Sequence, residues 1–284
     1  MQVSPIPPDS AVPKDALGVE HRPAEGPVRI VSLVPSLTEL VCELGLGDRL
    51  VGRTGFCIHP RETLARVPKV GGTKDVKLDA VRALEPTHLI VNIDENRRET
   101  VEQLAAFVPN VIVTHPCAPE DNFYLYRLFG HLFGREAEAG RLAANLAGAL
   151  GDARAAASGL PPEPVLYLIW REPWMTVAPD TYIAATLRAV GWDTLPAASA
   201  LRYPEVDWQA AWPAQAARVF LSTEPYRFRE RHLAEVERLS GRPAALIDGE
   251  MTSWYGSRAA DGLRYLADLR RRLAAGGAQS NVLR

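Results

Sequence analysis

Apolar and polar positions fall into short blocks that repeat along the chain. Residues 28–34 are a β-branched apolar run closed by Pro35 and Ser36, with Glu39 three places beyond Ser36. That spacing predicts a capping box opening a helix that Gly45 or Gly47 ends. The same strand, turn, helix order recurs: residues 88–92 lead toward a helix over 96–107, and residues 111–114 lead into helical sequence from about Glu120. Strands alternating with helices across short loops predict parallel βαβ units.

Residues 135–158 are rich in Ala and Leu with Glu and Arg interspersed, which predicts one long helix. It ends at Ser158-Gly159 and the prolines Pro161, Pro162 and Pro164, after which a new strand starts over 165–170. The chain thus divides into a loose N-terminal tail (1–27), an α/β lobe (28–134), a connecting helix (135–158), a second α/β lobe (163–275) and a flexible C-terminal tail (276–284). The lobes resemble each other. In the first, an amphipathic helix over 78–84 precedes the strand 88–92 and then Glu95; in the second, a helix over 208–214 precedes the strand 218–222 and then Glu224. Both glutamates fall at the carboxyl end of a parallel strand, where α/β sheets place ligands. Two such ends facing each other would make a cleft.

Composition narrows the partners. Lys plus Arg is 32 against 34 Asp plus Glu, so the net charge of -2 offers no pull toward nucleic acid or anionic lipid. Cys42, Cys57 and Cys117 are an odd count without C-x-x-C, which writes neither a disulfide framework nor a zinc ribbon and fits a reducing compartment. No apolar run of about 18 residues is present, so the chain is not expected to be an integral membrane protein. Residues 1–27 lack a basic n-region and an apolar h-region. The expectation is a cytoplasmic protein, or a periplasmic one if a leader precedes Met1.

Candidate chemistry gathers in the loops after the strands. Arg53, Phe56, Cys57, His59, Lys74, Glu95 and Asn96 lie in the first lobe. Trp170, Arg171, Trp174, Tyr203, Glu224, Tyr226, Glu250, Trp254 and Tyr255 lie in the second. Aromatic walls with a few fixed charges suit a large, flat, partly apolar ligand, with Arg53, Lys74 and Arg171 pairing its acidic groups. Trp170 and Trp174 would equally well cap the second lobe's core. Gly71-Gly72-Thr73-Lys74 lacks Walker spacing and reads as a turn. Cys57 and His59 are sulfur and imidazole ligands for a soft metal if Glu95, Glu224, His232 or Glu250 completes the set. His88 and His131 read as structural, and His21 lies in the tail. The alternative is an enzyme using Cys57, His59 and the two glutamates on a small substrate. The G-x-G-x-x-G, G-x-S-x-G and H-E-x-x-H signatures are all absent.

The opening Arg29-Ile30-Val31-Ser32-Leu33-Val34-Pro35-Ser36-Leu37-Thr38-Glu39-Leu40, the segment from Pro68 to Gly71-Gly72-Thr73-Lys74, and Leu84-Glu85-Pro86-Thr87-His88-Leu89-Ile90-Val91-Asn92 resemble the helical-backbone metal receptors. These are the cobalamin- and siderophore-binding proteins of ABC importers, and the resemblance runs over residues 28–273. It implies two Rossmann-like lobes of the class III periplasmic-binding-protein type. It further implies a small-molecule ligand such as cobalamin, haem or another metal chelate, held without being transformed. An ABC permease or another ligand-receiving protein would be the partner. Family members dock through acidic residues on each lobe, whereas Arg97 and Arg98 stand at the first-lobe position here.

Overall fold

The computed structural model describes residues 12–276. The first apolar run narrows to strand β1 (Ile30–Ser32), which pairs in parallel with both β2 (Leu50–Arg53) and β3 (His88–Asn92), while β3 pairs with β4 (Asn110–Thr114). All five residues of β3 are buried. That continuous burial is what a central parallel strand covered on both faces requires. Helices α1 (Pro35–Glu43), α2 (Arg61–Leu64), α3 (Leu78–Ala83), α4 (Arg98–Ala105) and α5 (Asp121–Phe133) alternate with these strands. Val31, Leu33, Val81, Leu89, Val91 and Leu104 from strands and helices share one core.

Helix α1 starts differently from expectation. Ser36 and Glu39 form no capping box, because Pro35 occupies the first turn and Val34, with no side-chain cap, is the N-cap. Proline brings a preset φ and needs no acceptor for an N–H, so it opens the helix earlier than the serine spacing asks. Ser36 is left inside the helix.

The long helix α6 (Glu136–Ala157) has 22 residues and a length of roughly 33 Å. After it come β5 (Glu163–Leu168), α7 (Tyr182–Arg188), β6 (Trp192–Thr194), β7 (Arg218–Ser222), α8 (Leu233–Ser240), β8 (Ala244–Ile247), α9 (Gly249–Ser253) and α10 (Ala259–Ala274). The strands again pair in parallel. Strand order is β2-β1-β3-β4 in the first sheet and β6-β5-β7-β8 in the second, one topology used twice. The described residues form two compact units, 12–116 with 120–144 and 117–119 with 145–276, so the division falls within α6.

The segment 208–214, expected as a helix, is instead a turn followed by a short 3-10 turn at Pro213–Gln215. Trp208 and Trp212 pack against the second unit's core, and Pro213 has no N–H to continue a helix. The expected loose N-terminal tail is also corrected for residues 12–27. Asp15 accepts hydrogen bonds from the backbone N–H groups of Leu17, Val19 and Val113, and His21 Nε2 lies 3.3 Å from its Oδ2. Ala16 N–H adds a bond to Val113 O at 2.8 Å, which ties this segment to the edge strand β4. Burial pushes the Asp15 carboxyl up, but these donors outweigh it and hold it below its ordinary value. The rest of that expected tail, residues 1–11, and residues 277–284 of the expected C-terminal tail lie outside the described residues. No helix among the described residues is long and apolar enough to cross a membrane.

Candidate functional site

In a parallel sheet with the order 2-1-3-4, the connections on the two sides of the first strand diverge at its carboxyl end, and ligands bind there. The predicted residues lie at or beyond the ends of β2 and β3 in the first unit and of β5, β6, β7 and β8 in the second, with Lys74 between α2 and α3 and Glu250 inside α9.

In the first unit, Arg53 ends β2 but turns away from solvent. Its Nε and Nη2 donate to Leu64 O at 3.2 and 3.0 Å, and Nη1 donates to Thr54 O at 3.2 Å and Cys57 O at 2.8 Å. The guanidinium therefore shapes the loop after β2, with four hydrogen bonds to backbone carbonyls and only 7% of the residue exposed. Cys57 is fully buried, its Sγ 3.1 Å from both the Thr38 and Thr54 hydroxyls. Burial pushes its thiol up beyond what those two hydroxyls take back, with Glu95 adding to the rise. Among the described residues, no group of three or more His, Cys, Asp or Glu is placed to hold a metal ion. The expected Cys57–His59 metal pair is thus not assembled: a buried neutral thiol is a poor ligand, and His59 sits half-buried on the loop surface. Phe56 is the opposite case, exposed to 64%.

Asn96 is buried and joins three loops. Its Oδ1 accepts from Asn92 N–H at 2.9 Å, and its Nδ2 donates to Thr73 O at 2.9 Å and, at 3.4 Å, to Leu33 O. It positions the loop after β3, where Glu95 is half-buried. Gly71-Gly72-Thr73-Lys74 is a turn, closed by Gly72 N–H to Asp75 O at 3.0 Å. Gly71 has φ +113°, and a Cβ there would come within 2.3 Å of Asp75 O. Lys74 is exposed.

In the second unit, Trp174 packs against the core, stacked on Phe228 at 6.0 Å between ring centres and edge-on to Trp208 at 5.7 Å. Its neighbour Trp170 is 41% exposed, and meets Tyr226 edge-on at 5.6 Å. Arg171 is held by Glu235 through Nε at 3.2 Å and Nη2 at 3.0 Å, and by Glu172 at 2.5 Å. Tyr203, in the loop after β6, is half-buried.

The loops after β7 and β8 meet. Trp254 and Tyr255, expected as open walls, are 6% and 7% exposed. Trp254 Nε1 donates to Glu224 Oε2 at 2.9 Å. Arg258 lies 4.7 Å over the Trp254 ring and donates to Glu250 Oε2 at 2.6 Å. Tyr255 packs edge-on against Tyr182. Burial first, and the charge of Glu250 second, raise the Glu224 carboxyl to about 7 in spite of the indole hydrogen bond.

Two residues that the sequence reading missed complete the picture. Ile93 and Leu201 are 45% and 65% exposed, in the loops after β3 and β6, and Ile58 beside Cys57 is 43% exposed. With Phe56 and Trp170 they place large apolar side chains in water on carboxyl-end loops of both units. The signal available was a bare isoleucine directly after a strand and ahead of polar residues, as in Asn92-Ile93-Asp94.

The family model for periplasmic binding proteins matches residues 30–245. The chain belongs to the periplasmic binding protein family. Among curated members, a vitamin B12-binding protein of Photorhabdus laumondii is 29% identical over 100 residues, 35% of this chain and 36% of that protein. A vitamin B12-binding protein of Yersinia pestis is 30% identical over 94 residues, 33% of each. The similarity thus spans about a third of the length of these curated relatives. Solved family structures agree in fold over most of the chain. The periplasmic vitamin B12 binding protein of Vibrio cholerae superposes with TM-score 0.72 at 18% identity, covering 87% of this chain and 97% of that one. The periplasmic heme-binding protein of Roseiflexus sp. RS-1 superposes with TM-score 0.74 at 23% identity, covering 89% and 100%. The helical-backbone metal receptor resemblance and the class III architecture expected from the sequence hold.

Proposed function

We propose that this protein binds a flat metal chelate of the cobalamin or haem class on its carboxyl-end loops and hands it, chemically unchanged, to an ABC permease or another receiving protein. The observation that carries this reading is the exposure of Phe56, Ile58, Ile93, Trp170 and Leu201 on those loops. Large apolar side chains held in water beside ordered polar groups mark a surface that gains free energy when a ligand covers it. The names of the relatives supply the ligand class. The alternative enzyme reading drew on Cys57 as nucleophile, and a thiol buried and kept neutral serves that role badly.

The test is thermal unfolding of the purified protein with cyanocobalamin, haemin or a ferric siderophore at increasing concentration. A chelate present at about 100 times its dissociation constant stabilises the folded state by about 2.7 kcal/mol, and the melting temperature climbs with its concentration. A melting temperature indifferent to all three would remove the proposal.

A further inference from the structure

Glu224 follows β7 directly, and its two carboxyl oxygens have different surroundings. Oε2 accepts the Trp254 indole N–H at 2.9 Å. Oε1 accepts no hydrogen bond among the described residues, and Glu224 as a whole is half-buried. The cation nearest this pair, Arg258, is engaged by Glu250 at 2.6 Å and lies over the Trp254 ring. Position is fixed tightly on the main-chain side: a Cβ on Gly249 would come within 2.6 Å of Glu224 N and of Ser222 Oγ. The backbone here is closely packed, and the half-buried carboxyl has one oxygen occupied by the indole and the other without a hydrogen-bond donor among the described residues.

We propose that Glu224 enters the ligand complex as a neutral acid, accepting from Trp254 on one oxygen and donating its own proton from the other to an oxygen acceptor on the ligand. The inference rests on the binding function proposed above and adds the kind of group selected at this point: an amide carbonyl or a carboxylate on the chelate's rim. A cation or a bare metal ion would be disfavoured there. The charged groups facing Glu224 are Glu250 and Asp248 from the β8–α9 segment and Arg258 from the turn before α10, with the Tyr167 hydroxyl of β5 beyond Ser222. Burial first, and then two carboxylates against one committed guanidinium, keep Glu224 protonated up to about pH 7. Because the ligand takes only the protonated form, capture is constant below that pH and weakens above it.

The experiment is calorimetric titration with cyanocobalamin, and in parallel with haemin, from pH 5.5 to 8.5. Cyanocobalamin itself does not titrate in this range. Wild-type affinity should be flat to about pH 7 and then fall toward about tenfold per pH unit. Glu224→Gln carries a permanent donor and acceptor in place of the acid, and should bind at pH 8.5 as tightly as wild type does at pH 6. Glu224→Ala should bind more weakly at low pH and without pH dependence. A flat wild-type profile, or a slope that persists in Glu224→Gln, overturns the inference while leaving the binding function intact. Absence of binding to either chelate at every pH removes both. A second readout needs no ligand: the melting temperature of Glu224→Gln relative to wild type should rise from about pH 5 to about pH 7 and level off above it, and a difference constant across that range also overturns the inference.

Discussion

The hydroxyl of Thr38 on α1 lies 3.1 Å from the sulfur of Cys57, and the Thr54 hydroxyl lies at the same distance on another side. Chain segments on either side of β2 thus close over the thiol, and the motif that looked most like metal chemistry is a packed interior contact. Alkylation with iodoacetamide at pH 8 should leave Cys57 unmodified in the folded protein and modify it fully after denaturation, as read by peptide mass spectrometry. Cys57→Ala should leave chelate affinity within about twofold and cost on the order of 1 kcal/mol of stability. Rapid labelling of Cys57 in the native protein would contradict this placement.

Arg53 serves stability in the same loop. It donates to carbonyls of Thr54, Cys57 and Leu64, and Arg53→Leu would strip these acceptors of their partner inside the protein. Urea unfolding should show a loss of about 2–4 kcal/mol. Arg53→Lys, a single point donor in place of a fork, should recover only part of it.

Glu163 makes a pH-dependent contribution at the opposite end of the second sheet. It accepts from Arg218 Nε at 2.6 Å and Trp192 Nε1 at 3.1 Å, and pairs with Arg270 of α10. Burial pushes its carboxyl up, but Arg218, Trp192 and Arg270 together hold it below its ordinary value. A carboxyl with a lowered folded pKa binds fewer protons folded than unfolded, so its contribution is present above the unfolded pKa and is lost as pH falls through the folded one. Glu163→Gln should therefore cost about 1–3 kcal/mol at pH 7. The gap between variant and wild type, followed by denaturant titration, should shrink as the pH is taken from 5 down to 3. A gap independent of pH would show that the carboxyl's charge is not what matters.

How far the sequence could be read depended on what each residue does with its side chain. Strands β3 and β7 were legible residue for residue, because a run of buried apolar positions bounded by polar ones has no other good solution. The repeated topology was visible in the matching positions of Glu95 and Glu224, each just past the third strand of its sheet order. Strands β2, β6 and β8, of 3–4 residues each, were too short to announce themselves. Within the site, residue type located the loops but not the side-chain directions. Arg53 and Asn96 turn onto backbone groups of their own and of neighbouring segments, and Trp254 turns inward to Glu224. Trp170 stays at the surface while Trp174, four residues on, joins the core. Such choices are set by contacts between segments distant in the chain, which a local pattern does not encode.

The central claim is that the exposed apolar side chains of the carboxyl-end loops bind a metal chelate. Equilibrium dialysis of wild type, Phe56→Ala and Trp170→Ala against cyanocobalamin and haemin at pH 6 tests it directly. Wild type should retain at least one chelate, and each substitution should weaken retention by about tenfold, or about 1.4 kcal/mol. Their melting temperatures should stay near that of wild type, since these rings contribute little to the core. Retention of neither chelate, or retention unchanged when both rings are removed, would contradict the account.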